Sequence, residues 1–254
     1  MAGDDSSLIR LADQLEERLR GVGTPERAVH EKAYLKSTLA FLGASVPQIR
    51  AAATELRGAH PDLGADDLRA LVEQLWGRGI HECRVAAVEL LAASGHLLSA
   101  RDLPLLERLL RDSRTWALTD ALAVSVVGRL AERDPEVGAA LDRWAGDEDF
   151  WLRRSAMLAL LPGLRRGAGD FDRFSGYADR MLDEREFFIR KAIGWVLRET
   201  GRRRPELVVS WLAPRAPRAS GVTMREAVKH LPEHDRDALL RAYRARQANH
   251  RPSR

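Results

Sequence analysis

Residues 186–199 read EFFIRKAIGWVLRE, and this stretch decides the fold. Stepped at about 100° per residue from Phe187, the apolar Ile189, Ile193, Val196 and Leu197 share one arc of roughly 100°, the core face of a helix. Arg190, Lys191, Gly194 and Arg198 fall on the opposite arc. Trp195 lies beside that basic stripe and away from the core face. Two other stretches share the shape: DFWLRRSAMLALLPG at 149–163 and HECRVAAVELLAASG at 81–95. In each, acidic, basic and aromatic or His residues precede an apolar helix with Ala near its start.

Outward from these three, period-3.6 apolar patterns recur near 8–20, 25–42, 47–58, 65–77, 101–111, 115–131, 135–145, 171–183, 205–213, 222–231 and 235–248. With 81–94, 150–162 and 186–200 they fill the chain. Pro25, Pro47, Pro61, Pro104, Pro135 and Pro205 stand at or near helix starts, and Gly43, Gly58, Gly79, Gly95, Gly163 and Gly201 near helix ends. No alternating strand pattern is present. Helices this short bury their apolar faces only by stacking on neighbours. The expected architecture is therefore all-α: an α-solenoid of stacked antiparallel helix pairs, HEAT-like repeats, curved around a concave groove. It forms one domain over 1–248, with a frayed Ser/Arg/Pro-rich tail at 249–254.

The 254 residues are 45% apolar, enough for a core, but only 6% aromatic, so Leu, Ala and Val must fill most of it. No run approaches the roughly 20 apolar residues of a membrane span. The acidic, amphipathic start, MAGDDSSLIRLADQLEERL, fits neither a secretory signal nor an Arg-rich transit peptide. Cys83 is the single cysteine, which excludes an intrachain disulfide. The expected protein is soluble, monomeric and cytoplasmic, with no membrane partner. Residues 1–150 hold 18 Arg/Lys against 25 Asp/Glu, and residues 151–254 hold 23 against 12, balances of −7 and +11. Placing the positive charge in one part of the chain points to a polyanion partner. Only four of the 41 basic residues are Lys, a skew that genome composition alone would produce.

Asp120 is the one charged residue between Trp116 and Gly128, within SRTWALTDALAVSVVGRL (113–130). Four-residue spacing puts the Trp116 indole and the Asp120 carboxylate on one helix face. A carboxylate in such apolar company has lost hydration. It serves either as a cap for a neighbouring helix or as a catalytic carboxylate beside an aromatic wall. Trp195, with Arg190, Lys191 and Arg198 beside it and Gly194 allowing close approach, is either a nucleic-acid contact or a packing residue between repeats. Arg153 and Arg154 lie among apolar residues on most sides, and periodicity does not say which faces a groove. His230 and His234 have i, i+4 spacing, but Pro232 between them disfavours a helical zinc pair. His81-Glu82-Cys83 lacks a second ligand set nearby. Phosphate-cradling Gly-rich loops and the GxSxG elbow are absent from the sequence.

Across nearly its whole length the chain resembles the DNA alkylation repair family of HEAT-like-repeat DNA glycosylases, the AlkD type. AYLKSTLAFLG (33–43), VPQIR (46–50), LVEQLWGRGIHECRVAAVELL (71–91), TWALTD (115–120), FWLRRSAMLALL (150–161), EFFIRKAIGWVLRE and REAVKHL (225–231) carry the resemblance, in the family's order. The family's active-site pattern is a Trp with an Asp four residues on, an Arg in W-L-x-R and a Trp in A-I-G-W. These match Trp116, Asp120, Arg154 and Trp195; the family's N-terminal Tyr matches Tyr34.

The resemblance implies hydrolysis of the N-glycosidic bond of N3- or N7-alkylated purines in duplex DNA, without base flipping and without metal or other cofactor. Asp120 would face the developing sugar cation, Trp116 and Trp195 would flank the deoxyribose, and Arg154 would hold a phosphate. Arg153, Tyr34, Arg190, Lys191 and Arg198 are the further candidate DNA contacts. A catalytically silent DNA-binding or damage-sensing solenoid is the principal alternative, and a protein–protein scaffold the third.

Overall fold

The computed structural model describes residues 5–249, and these are helical nearly throughout. From residue 250 onward the expected frayed tail lies outside the described residues. In chain order the α-helices are α1 (Asp5–Val22), α2 (Pro25–Leu35), α3 (Val46–Ala59), α4 (Ala65–Gly77), α5 (His81–Ala93), α6 (Leu103–Ser113), α7 (Trp116–Ala121), α8 (Gly128–Ala131), α9 (Val137–Trp144), α10 (Phe150–Leu158), α11 (Leu161–Arg165), α12 (Phe171–Met181), α13 (Phe187–Gly201), α14 (Pro205–Leu212), α15 (Gly221–Ala227) and α16 (Glu233–Asn249). Among the described residues the sole β pairing is an isolated bridge between Ala40 and Ile80.

Two compact units divide at Val126–Val127. In the first, α5 is central, with α3 and α4 packed on it and α1 lying across α3 and α4. Leu15, Leu19, Ile49, Leu71, Leu75, Leu90 and Leu91 form its interior. In the second, α13 is central, flanked by α10, α11, α14 and α15. Ile189, Ile193, Val196 and Leu197 are all fully buried, so the apolar arc of this helix is its core face. Each such side chain contributes about 1.5–3 kcal/mol relative to exposure.

A repeat length is written into the polar contacts. Arg50 pairs with Glu89, Arg69 with Asp102, Trp76 with Asp112, Arg153 with Glu184, Tyr177 with Asp142, Lys191 with Glu226 and Arg215 with Asp179. The separations run from 31 to 39 residues, about one helix pair. Side chains that reach mostly to the next repeat are expected of a helical solenoid, and Arg78, which bonds Asp13 and Glu16 some 62–65 residues back, is an exception.

Among the helix boundaries that differ from those the periodicity predicts, two have a visible cause. The 25–42 segment stops at Leu35, where Lys36 adopts a left-handed conformation and donates its N–H to the carbonyls of Ala33 and Lys32. Beyond it, the buried Glu82 carboxylate accepts from the backbone N–H groups of Leu42 (2.9 Å) and Gly43 (2.6 Å), and Ala40 bridges to Ile80. Competing long-range partners for the backbone thus hold 37–43 out of the helix. The 150–162 segment breaks after Leu158 and restarts at Leu161, where Pro162 needs no N–H donor in a first turn.

Candidate functional site

Thr115, in extended conformation, leads into α7, and Trp116 opens the helix. Leu118 and Thr119 are fully buried and pin the helix to its unit, leaving Trp116 and Asp120 half-buried one turn apart. The hydroxyls of Thr115 and Thr119 are buried with no hydrogen-bond partner, which is unusual in a folded core. Tyr34, near the end of α2, meets the Trp116 indole edge to face, centroids 6.1 Å apart at 88°. Tyr34 as a whole is 66% exposed, so one side of this aromatic corner faces solvent. Directly after α7 the chain takes a π-helical turn over Leu122–Val127, a widening that recurs at functional sites. The apolar period runs through it unbroken, so the sequence carries no sign of it.

In the second unit, α10 places its two arginines differently. Arg153 grips Glu184 with Nε (3.0 Å) and Nη2 (2.8 Å), and Nη1 donates to the carbonyls of Asp147 (2.7 Å) and Glu148 (2.9 Å). With its donors so committed, Arg153 ties α10 to the segment before α13. Arg154 is 3% exposed, donates Nη1 to the Phe188 carbonyl at 2.5 Å and lies 5.8 Å from the Phe188 ring.

The basic arc of α13 is partly covered by α15. Gly194 is buried, and a β-carbon there would meet Thr223 and Glu226 of α15; the close approach that this glycine permits is to a helix. Glu226, itself nearly buried, accepts from Lys191 (2.7 Å), Lys229 (2.8 Å) and Arg198 (2.5 Å). Burial raises the Glu226 pKa, but Lys191 and Lys229 outweigh it and hold the carboxyl at about 2. Arg190 donates Nε to the Glu184 carbonyl at 2.7 Å. Trp195 is half-buried, Arg165 of α11 stacks 5.6 Å from its ring, and its Nε1 is buried without a partner. Nothing local in the sequence marks Glu226 or Arg165 as partners of α13, because single charges on neighbouring repeats leave no pattern.

His81 and Cys83 are both buried. His81 is buried and stacked on Phe41, 4.6 Å between centroids, and desolvation, with Arg84 nearby, lowers its pKa to about 4. Burial pushes the Cys83 thiol up to about 12, which makes it inert. Among the described residues there is no cluster of His, Cys, Asp or Glu that could hold a metal ion, and no helix long and apolar enough to cross a membrane.

Stacked helix pairs with a tryptophan–aspartate face define a HEAT-like helical-repeat protein. The family model for DNA alkylation repair enzymes matches residues 15–231, and the chain belongs to that family. Among solved structures it is similar to a predicted DNA alkylation repair enzyme from Enterococcus faecalis, at a TM-score of 0.72 and 23% identity over 83% of this chain and 97% of that one. It is also similar to AlkD2 from Streptococcus mutans, at a TM-score of 0.59 and 14% identity over 80% of this chain and 99% of that one. At these identities the likeness is one of fold. No curated protein matches the chain.

Proposed function

We propose that this DNA alkylation repair enzyme is a glycosylase that hydrolyses the N-glycosidic bond of cationic N3- or N7-alkylated purines in duplex DNA. The observation that carries the proposal is the α7 face: a carboxylate and an indole one turn apart, half-buried, with Tyr34 edge-on to the indole. Alkylation makes the purine cationic, so it departs as a neutral base when the bond electrons move to N9. No strong general acid is needed. The sugar is left with oxocarbenium character at C1′. The Asp120 carboxylate stabilises that charge and orients the water whose oxygen bonds to C1′, the water's proton passing to the carboxylate or to solvent. Trp116 excludes solvent and turns its electron-rich face to the cation. Extrusion of the base into a pocket is not part of the proposed route, so bulky adducts remain substrates.

Incubation with a duplex carrying N7-methylguanine tests this directly. Free base accumulating above the spontaneous rate supports a glycosylase. Duplex binding with no release identifies a silent damage-binding protein instead, and absence of binding at low salt identifies a scaffold.

A further inference from the structure

A cleft of about 340 Å³ lies in the first unit, lined by Lys36, Ser37, Thr38 and Leu39 from the turn after α2, Arg84 from α5, and Asp112, Ser113 and Arg114 from the end of α6. Three cations face one carboxylate. That carboxylate is already engaged: Asp112 Oδ2 accepts from Trp76 Nε1 at 3.0 Å and from Arg84 at 3.3 Å. Arg84 lies 4.8 Å from the Trp76 ring and is half-buried. Its desolvation lowers its pKa, and Asp112 only partly compensates. Arg84 also donates Nε to the Trp76 carbonyl at 3.2 Å and Nη1 to the Asp112 carbonyl at 2.9 Å, which fixes its charge in the wall of the cleft.

The backbone supplies an independent sign. Lys36 (φ 50°) and Arg114 (φ 45°) are the two non-glycine residues with positive φ among the described residues, and both line this cleft. Each ends a helix at the position where glycine is ordinarily found, because a β-carbon is strained in the left-handed region. Cations at helix C-termini also suit the macrodipole, but that benefit does not require left-handed backbone. Strain held at two adjoining positions, each carrying a long cation into one cleft, points to a bound anion.

Its place indicates which anion. Lys36 is two residues beyond Tyr34, and Arg114 is two residues before Trp116. The cleft therefore adjoins the aromatic corner of α7. We infer that Lys36, Arg84 and Arg114 form a phosphodiester subsite that holds the DNA backbone beside Trp116 and so sets the register of the strand against Asp120. The inference rests on the proposed action on duplex DNA. The subsite reads no sequence, since it contacts phosphate alone. Ser37 and Thr38 supply hydroxyl donors suited to the remaining phosphate oxygens.

Binding of an undamaged duplex, titrated across salt concentrations, tests the subsite separately from chemistry. In Lys36→Gly and Arg114→Gly the slope of log K against log[salt] is expected to fall in magnitude by about 1 each, with about tenfold weaker binding. Because glycine relieves the left-handed strain, the melting temperature of both variants should stay at or above the parent's. Lower melting temperature with unchanged slope would show that the two cations merely stabilise helix ends, and would overturn the subsite. If the slope falls while the parent releases no N7-methylguanine, the subsite stands and the glycosylase assignment fails. If the parent releases base and the variants bind like it, the reverse holds. A parent that binds no duplex defeats both.

Discussion

Gly194 of α13 lies against Glu226 of α15, so closely that a β-carbon at position 194 would stand 2.7 Å from the Glu226 Cβ and 2.9 Å from the Thr223 carbonyl oxygen. One of these obstacles is backbone, which cannot rotate aside. Gly194→Ala is therefore expected to cost about 1–3 kcal/mol through overpacking, visible as a lower melting temperature. An unchanged melting curve would show that α15 shifts freely.

Glu226 collects Lys191, Arg198 and Lys229 on one carboxylate. Glu226→Gln should destabilise the protein by about 1–3 kcal/mol, since three cations lose their common partner. Its folded pKa of about 2 lies below the ordinary 4.5 of a glutamate, so its stabilisation is full above pH 4.5 and is lost as pH falls from 4.5 toward 2. Denaturant midpoints measured across that window should slope in the parent and flatten in Glu226→Gln. Matching slopes would contradict the arrangement.

His81 is held neutral by burial, with a folded pKa of about 4 against 6.5. A depressed base favours the folded state most fully above pH 6.5, and stability is lost as pH falls from 6.5 toward 4, where only the unfolded chain takes the proton. The loss amounts to about 3 kcal/mol. His81→Phe, which keeps an aromatic ring against Phe41, should abolish that part of the pH dependence in chemical unfolding. Persistence of the slope would assign it elsewhere.

Tyr34 touches Trp116 through its ring. Tyr34→Phe keeps that edge-to-face contact and should keep the position of the indole, whereas Tyr34→Ala removes it. With Tyr34 as a whole 66% exposed, the stability cost of Tyr34→Ala should stay near or below about 1 kcal/mol. Single-turnover base release is expected to fall clearly more in Tyr34→Ala than in Tyr34→Phe. Equal rates in the two would show that the aromatic corner plays no part.

What the chain shows of itself is mostly local. The 3.6-residue period locates the helices, and the α13 wheel separates Ile189, Ile193, Val196 and Leu197 correctly as a buried face. The same wheel treats the opposite arc as open, because periodicity within one helix carries no information about a helix 30 residues later. Glu226 and Thr223 pack against that arc from α15 and give Lys191 and Arg198 a common carboxylate partner. The end of α2 is hidden for a like reason: Glu82, some 40 residues on, captures the backbone at Leu42 and Gly43. Trp116 and Asp120 are legible because their relation is a single helical turn. The cleft of Lys36, Arg84 and Arg114 is not, since it joins three separate turns of chain.

One rate comparison tests whether Asp120 faces the developing sugar cation. With N7-methylguanine duplex at saturating protein, Asp120→Asn should keep its DNA affinity while its base-release rate falls by about 10²–10³, as expected when a fixed charge facing a developing cation is removed. Release at the parent's rate from Asp120→Asn would contradict it.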